Sequence, residues 1–221
     1  MFAYDLKLAV QSLRRNPGLT LLMVLAVGLG IAVCTVTFTV YHAMANNPVP
    51  ERSDRLHAVT MDTWSAERPY DDEHPEHAPT LMTYRDATFL HEAQAAPRTV
   101  IMYKSGALLV PERQGVKPYN ATLRVTSHEF FGAFGTPFAF GGGWDAAADR
   151  GPQPVVVLSH ETNDKVFGGG NSVGRSVRLG TIEYRVVGVL APWAPSPKFF
   201  DLNNGAFDDP VPAAMVGLHT G

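Results

Sequence analysis

No Asp, Glu, Lys or Arg occurs between Arg15 and Glu51, in a chain that is 18% charged overall. Inside that gap Leu19 to Val40 reads LTLLMVLAVGLGIAVCTVTFTV, apolar but for small threonines and glycines. At ~1.5 Å rise per residue a helix of this run is roughly 33 Å long, against a bilayer hydrocarbon core of ~30 Å. A helix satisfies its own backbone in lipid, so the run reads as a transmembrane helix. Leu19, Leu22, Leu25, Val27, Leu29, Ile31, Val36, Phe38 and Val40 are its anchoring side chains. Its threonines are expected to bond back to carbonyls one turn earlier. Gly28 and Gly30 permit close approach of another helix, but they are not spaced as a GxxxG pair. Cys34 reads as a small apolar residue in mid-span.

Two readings compete with a retained span. Ala43-Met44-Ala45 fits the small-x-small pattern of a cleaved signal, although such signals have an apolar region of only ~7–15 residues. The other is a buried helix of a soluble protein. Flanking charge sets the orientation. Lys7, Arg14 and Arg15 precede the span, and the nearly balanced Glu51, Arg52, Asp54 and Arg55 follow it. Positive charge stays in the cytoplasm, so the N-terminus is expected inside and the bulk outside. Ahead of the span Phe2, Leu6, Ala9, Val10 and Leu13 recur at helical spacing, the pattern of a short amphipathic helix at the cytoplasmic interface. Asn16-Pro17-Gly18 predicts a break between the two.

The remaining composition excludes several classes. Lys+Arg 18 against Asp+Glu 21 leaves a net charge of -3, which argues against a nucleic-acid partner held by bulk positive charge. A single cysteine excludes an internal disulfide and any multi-cysteine metal site. The 20 Gly and 17 Pro point to a loop-rich fold. The domain plan is 1–18 as a cytoplasmic segment, 19–45 as the span and 46–221 as one extracytoplasmic domain.

In that domain, residues 55–61 are expected as a first strand, 64–79 as a charged loop, and 79–93 as a helix capped by Thr80. Strands are expected at 98–104, 106–110 and 119–125. A short helix capped by Thr126 or Ser127 should end at Gly135. The strongest local order is at 154–190. There, strand 154–158 leads through the N-cap Ser159 into a helix at 160–167 that Gly168 stops, and strands 176–179 and 184–190 turn about Gly180. Strands and helices mix without regular βαβ alternation, which predicts an α+β domain behind one N-terminal transmembrane helix.

Two blocks carry a family resemblance. Ser12-Leu13-Arg14-Arg15-Asn16-Pro17-Gly18 runs directly into the span, and PVVVLSHETNDKVFGGGNSVGRSVRLGTIEYRVVGVL occupies Pro154 to Leu190. Together with FFGAFGTPFAFGGGW before the second block, the chain resembles the first part of a MacB/FtsX-like ABC transporter permease. Ser159, Phe167, Gly168, Gly169, Gly174, Arg175, Tyr184 and Gly188 are the fold-signature positions carried over, structural rather than catalytic. The resemblance implies an inner-membrane component whose ATP sits on a separate ATPase subunit, so no cofactor is expected on this chain. It also implies coupling of ATP hydrolysis in the cytoplasm to motion of the periplasmic domain. Implied partners are the ABC ATPase, further permease helices or a second permease copy, a periplasmic adaptor and the lipid bilayer. The family has three more spans towards its C-terminus. No second apolar span precedes Gly221, so a truncated product, a fragment or one piece of a split permease is expected, without autonomous transport.

Other chemistry is weakly encoded. Gly168 to Arg175 is glycine-rich but lacks the GxxxxGK[ST] of a P-loop, and the glycines read as a helix stop and turn. His74, Glu76 and His77, with Asp71, Asp72 and Glu73, match no compact zinc spacing and read as a solvated acidic loop. His128-Glu129 and His160-Glu161 read as helix starts favoured by their acidic residues. No GxSxG is present, so the chain is expected not to be an enzyme. Trp193 and the aromatics of 189–200 read as a loop packed on its own domain. A tethered binding or assembly module working without an ATPase is the competing function, and a domain secreted after Ala45 is the third.

Overall fold

The computed structural model describes residues 14–45, 47, 49–65, 67–94, 96–111, 113, 115–151, 153–195, 200 and 212–218. Lys7 and the amphipathic segment lie outside the described residues. The chain divides into two units, 1–46 and 47–221.

Among its described residues the first unit holds α1, Pro17–Ala45, of 29 residues, preceded by the helical Arg14 and Arg15. Pro17 takes the first helical position, where its missing N–H would have no partner anyway. The break expected at Asn16 is present: Arg14 and Arg15 are helical and exposed, and Asn16 is not helical. No residue of α1 is buried. A core helix of a soluble fold would hide one face, so the length and the mean hydropathy of 2.6 fit a membrane span.

The second unit is built on a mixed sheet. After a 3-10 turn at Ser53–Arg55 come α2 (Tyr84–Glu92), β1 (Met102–Val110), β2 (Tyr119–Thr126), α3 (Glu129–Phe134) and β3 (Phe138–Gly141). Then follow α4 (Ala146–Arg150), β4 (Val155–Leu158), α5 (His160–Phe167), β5 (Ser176–Leu179), β6 (Ile182–Leu190) and β7 (Ala214–Gly217). The strand order is β3-β6-β4-β7-β2-β1-β5, and β5 also pairs with β6. The sheet therefore closes into a ring of six strands, with β3 attached outside the ring along the end of β6. The closing seam is short, Leu109 opposite Leu179 and Val110 opposite Arg178. β4 lies parallel to β6 and β7 parallel to β2, and the other ladders are antiparallel.

Alternation divides the apolar residues between two clusters. One takes side chains from all six ring strands, among them Leu109, Val125, Val156, Val177, Val186 and Val216, as the interior of a closed sheet requires. The other gathers Val155, Val157, Leu190 and Met215 under α3 and α4, with Phe130, Phe131, Trp144 and Phe200. β4 is buried at every position because both of its faces are covered, and so it reads as an unbroken apolar run.

Several expectations change. Residues 56–63, where most of the first strand was expected, form no strand and join none of the sheet's ladders. The helix expected at 79–93 starts later. Thr83, not Thr80, caps it, with Thr83 Oγ1 accepting from the Asp86 amide at 3.2 Å and donating to Asp86 Oδ2 at 2.6 Å. The strands expected at 98–104 and 106–110 are one strand, since Gly106 stays in register opposite Thr122. The helix expected after Thr126 or Ser127 has His128 at its N-cap with no side-chain cap bond, and it ends at Gly135 as expected. β3, α4 and β7 were not anticipated.

Candidate functional site

The residues singled out by sequence lie mainly on the helix α1, in the signature block at 154–190 and at the start of α3, with others in the acidic loop at 71–77 and at Trp193.

On α1 every anchoring side chain faces outward. Exposure runs from 53% at Val40 to 74% at Phe38, with Leu19, Leu22, Leu25, Val27, Leu29, Ile31 and Val36 between. The threonines behave as expected. Thr35, Thr37 and Thr39 donate to the carbonyls of Ile31, Val33 and Thr35 at 2.8, 2.9 and 2.8 Å, which removes their hydroxyls from contact with lipid. Cys34 is exposed on the same helix.

In the signature block six of the eight carried-over residues make identifiable structural contacts. Ser159 Oγ accepts the Thr162 amide at 3.1 Å and so caps α5. Gly168 ends α5 in the left-handed region at φ +82, its N–H donating to Asp164 O at 2.9 Å. Arg175 lies over the Phe167 ring at 4.1 Å, and Tyr184 is buried in the ring interior. Gly188 sits where the two bulged ladders of β6 meet, and a Cβ there would collide with the Gly142 carbonyl. One pair was missed by sequence reasoning. Asn163 and Ser172, both buried, join at 2.5 Å, and Asn163 Nδ2 donates to Gly170 O at 2.9 Å, which holds the glycine loop against α5. The amides of Gly168, Gly174 and Arg175 already donate to protein carbonyls, and that of Val173 to Asn171 Oδ1. These amides are not free to cradle a phosphate.

The start of α3 brings together groups that sequence kept apart. Asp149, the fourth residue of the five-residue α4, is 8% exposed. Its Oδ2 accepts the His128 amide at 2.7 Å and meets His128 Nδ1 at 2.6 Å, while its Oδ1 accepts from Trp144 Nε1 at 2.8 Å. Glu129 Oε2 stands 3.1 Å from the same His128 Nδ1. The carboxylates fall at the N-terminus of α3, where negative charge is favoured. The missed signal was Asp149, 21 residues from its partner.

Among the described residues two clusters place three potential metal donors close together: His74, Glu76 and His77, and His128, Glu129 and Asp149. The first is exposed throughout, with pairings of 3.8–3.9 Å, as the solvated loop reading expects. In the second, both Asp149 oxygens already accept from the protein, so it works as a structural clamp. Ser159 Oγ is engaged by Thr162, accepting its amide at 3.1 Å and donating to its Oγ1 at 3.0 Å. Trp193 stacks on Phe200 at 5.6 Å and meets Phe130 edge-on, so these two side chains of the loop pack on their own domain.

An apolar helix of membrane length followed by a closed-sheet α+β unit is the plan of a protein with one membrane anchor and one globular domain. The chain belongs to the MacB-like periplasmic core domain family, whose pattern matches residues 20–216. No curated protein matches it. The periplasmic region of MacB from Actinobacillus actinomycetemcomitans is 18% identical, over 69% of this chain and 62% of that one, with a TM-score of 0.46. The extracellular domain of the noncanonic ABC-type transporter YknZ from Gram-positive bacteria is 16% identical, over 68% and 69%, with a TM-score of 0.47. The chain thus spans less than two thirds of the first of these structures.

Proposed function

We propose that this chain is the anchored extracytoplasmic portion of an ABC transporter permease-type component in a bacterial inner membrane. The family match from residue 20 to residue 216, which takes in both α1 and the ring domain, is the observation that supports it. Lys7, Arg14 and Arg15 hold the N-terminus in the cytoplasm, and the domain faces the periplasm. A partner ATPase subunit binds and hydrolyses ATP. The chain itself carries no catalysis and no cofactor. Its part is mechanical: ATP binding elsewhere shifts a two-state arrangement of helices, and the domain moves with them. Efflux, lipoprotein release and signalling are all outputs of this type.

The test is affinity purification of the full chain from its native membranes, with a reporter fused beyond residue 60. A co-purifying ABC ATPase together with a periplasmic reporter supports the reading. A chain that stays in the membrane with no ATPase points instead to a tethered module, and a cytosolic reporter overturns both.

A further inference from the structure

The polypeptide enters the domain through a short stem that is bonded mainly to itself. Asn47 Nδ2 donates to Ser53 Oγ at 2.6 Å, and Asn47 Oδ1 accepts the Val49 amide at 3.0 Å. The Arg52 and Ser53 amides both donate to Val49 O at 3.0 Å, and the Arg55 amide donates to Arg52 O at 3.0 Å. Pro50, Glu51, Ser53, Asp54 and Arg55 are exposed, so the stem contributes little to either apolar cluster.

Among the described residues of the stem, Arg52 reaches across to the folded body. Arg52 Nη1 donates to the Gly132 carbonyl and lies 3.5 Å from that of Ala133, both in the last turn of α3. Its guanidinium lies over Gly135, with Cζ 3.2 Å from where a Cβ would stand. The last carbonyls of a helix have no partner within the helix, and they form the negative end of its dipole. A guanidinium satisfies both demands at once. Arg55 offers the same chemistry but stays on the stem, 3.5 Å from Glu51 O and 3.9 Å from Asp54.

The other end of α3 is held by Asp149, through the His128 amide and ring. Between the two ties Phe130 and Phe131 are buried in the aromatic cluster. α3 is therefore a short rod with one end on the stem and the other on α4.

We propose that Arg52 is a latch that joins the membrane-proximal stem to the domain, with α3 receiving any displacement of the stem. The latch rests on geometry alone. Only its use in a transport cycle rests on the function proposed above.

The experiment uses the full chain in detergent, in a Cys34→Ala background because Cys34 is the single cysteine. Spin labels at the exposed positions Glu51 and Glu183 report the stem-to-domain distance distribution. Arg52→Ala is expected to broaden that distribution about twofold or more, while hydrogen exchange in β4 and β6 stays at the parent level. Arg52→Lys, a point charge without the planar fork, should fall between. Arg55→Ala should leave the distribution unchanged. The latch is overturned if Arg52→Ala leaves the distribution as narrow as the parent. It is also overturned if β4 and β6 lose protection together with the stem, since Arg52 would then be a general stability contact. Neither readout involves an ATPase, so a failed latch and a failed transporter reading give different results.

Discussion

Replacing Asp149 by Ala removes one acceptor group that serves three donors: the His128 amide, His128 Nδ1 and Trp144 Nε1, at 2.7, 2.6 and 2.8 Å. Hydrogen bonds to a charged group contribute ~1.5–3 kcal/mol each, but bonds sharing one carboxylate do not add. His128 is partly exposed and regains water, whereas Trp144 is 8% exposed and its indole N–H loses its acceptor. The expected loss is about 2–4 kcal/mol, set mainly by the buried indole N–H left without an acceptor and by the lost bonds to a charged group. At ~2–4 °C per kcal/mol for a chain of this size, the unfolding midpoint should fall by about 4–16 °C. Asp149→Asn keeps an acceptor for the indole and should cost about half as much. The assay is thermal and urea unfolding of the full chain in mild detergent, followed by tryptophan fluorescence. Trp144 and Trp193 report the cluster directly. An Asp149→Ala loss below about 1 kcal/mol would falsify the clamp, because water would then be serving the donors as well as the carboxylate does.

Three further outcomes follow from the same geometry. Gly188→Ala places a Cβ against the Gly142 carbonyl and 2.9 Å from Phe138 Cε1, so β3 must shift, and a loss of about 1–3 kcal/mol is expected by urea unfolding. Ser159→Ala deletes the α5 cap and should cost about 1 kcal/mol in the same assay, with hydrogen exchange rising first at Thr162. Burial, and after it the nearby Tyr84 and Tyr184, raises the Tyr103 phenol above its ordinary 10.0, and burial also raises Tyr119. The neutral phenols are favoured in the fold, so their contribution is full below pH 10 and is lost as pH rises through the folded values. Unfolding midpoints measured from pH 8 to 11 should decline at the alkaline end, and less steeply in Tyr103→Phe.

Local chemistry made much of this molecule legible. The charge-free run required a helix of membrane length, since lipid leaves the backbone no other partner. Ser159, the 160–167 helix and the Gly168 stop were readable because a cap, a short helix and a left-handed stop are all settled within ten residues of chain. The all-valine start of β4 announced a strand covered on both faces.

What tertiary structure decided depends on partners distant in sequence. β7 has four residues, and it is a strand only because it lies between β2 and β4, parallel to one and antiparallel to the other. Residues 56–63 have strand-like composition but join no ladder of the sheet. Asp149 reads as a surface acid in a short helix, until folding brings it to His128 and Trp144. Arg52 and Arg55 are equivalent in sequence, and only the position of the α3 carbonyls separates them. Caps, stops and a lipid-soluble helix are local equilibria that a few neighbouring residues settle. Ring closure, buried carboxylate partners and the choice between two arginines are settled by which surfaces meet when the sheet closes.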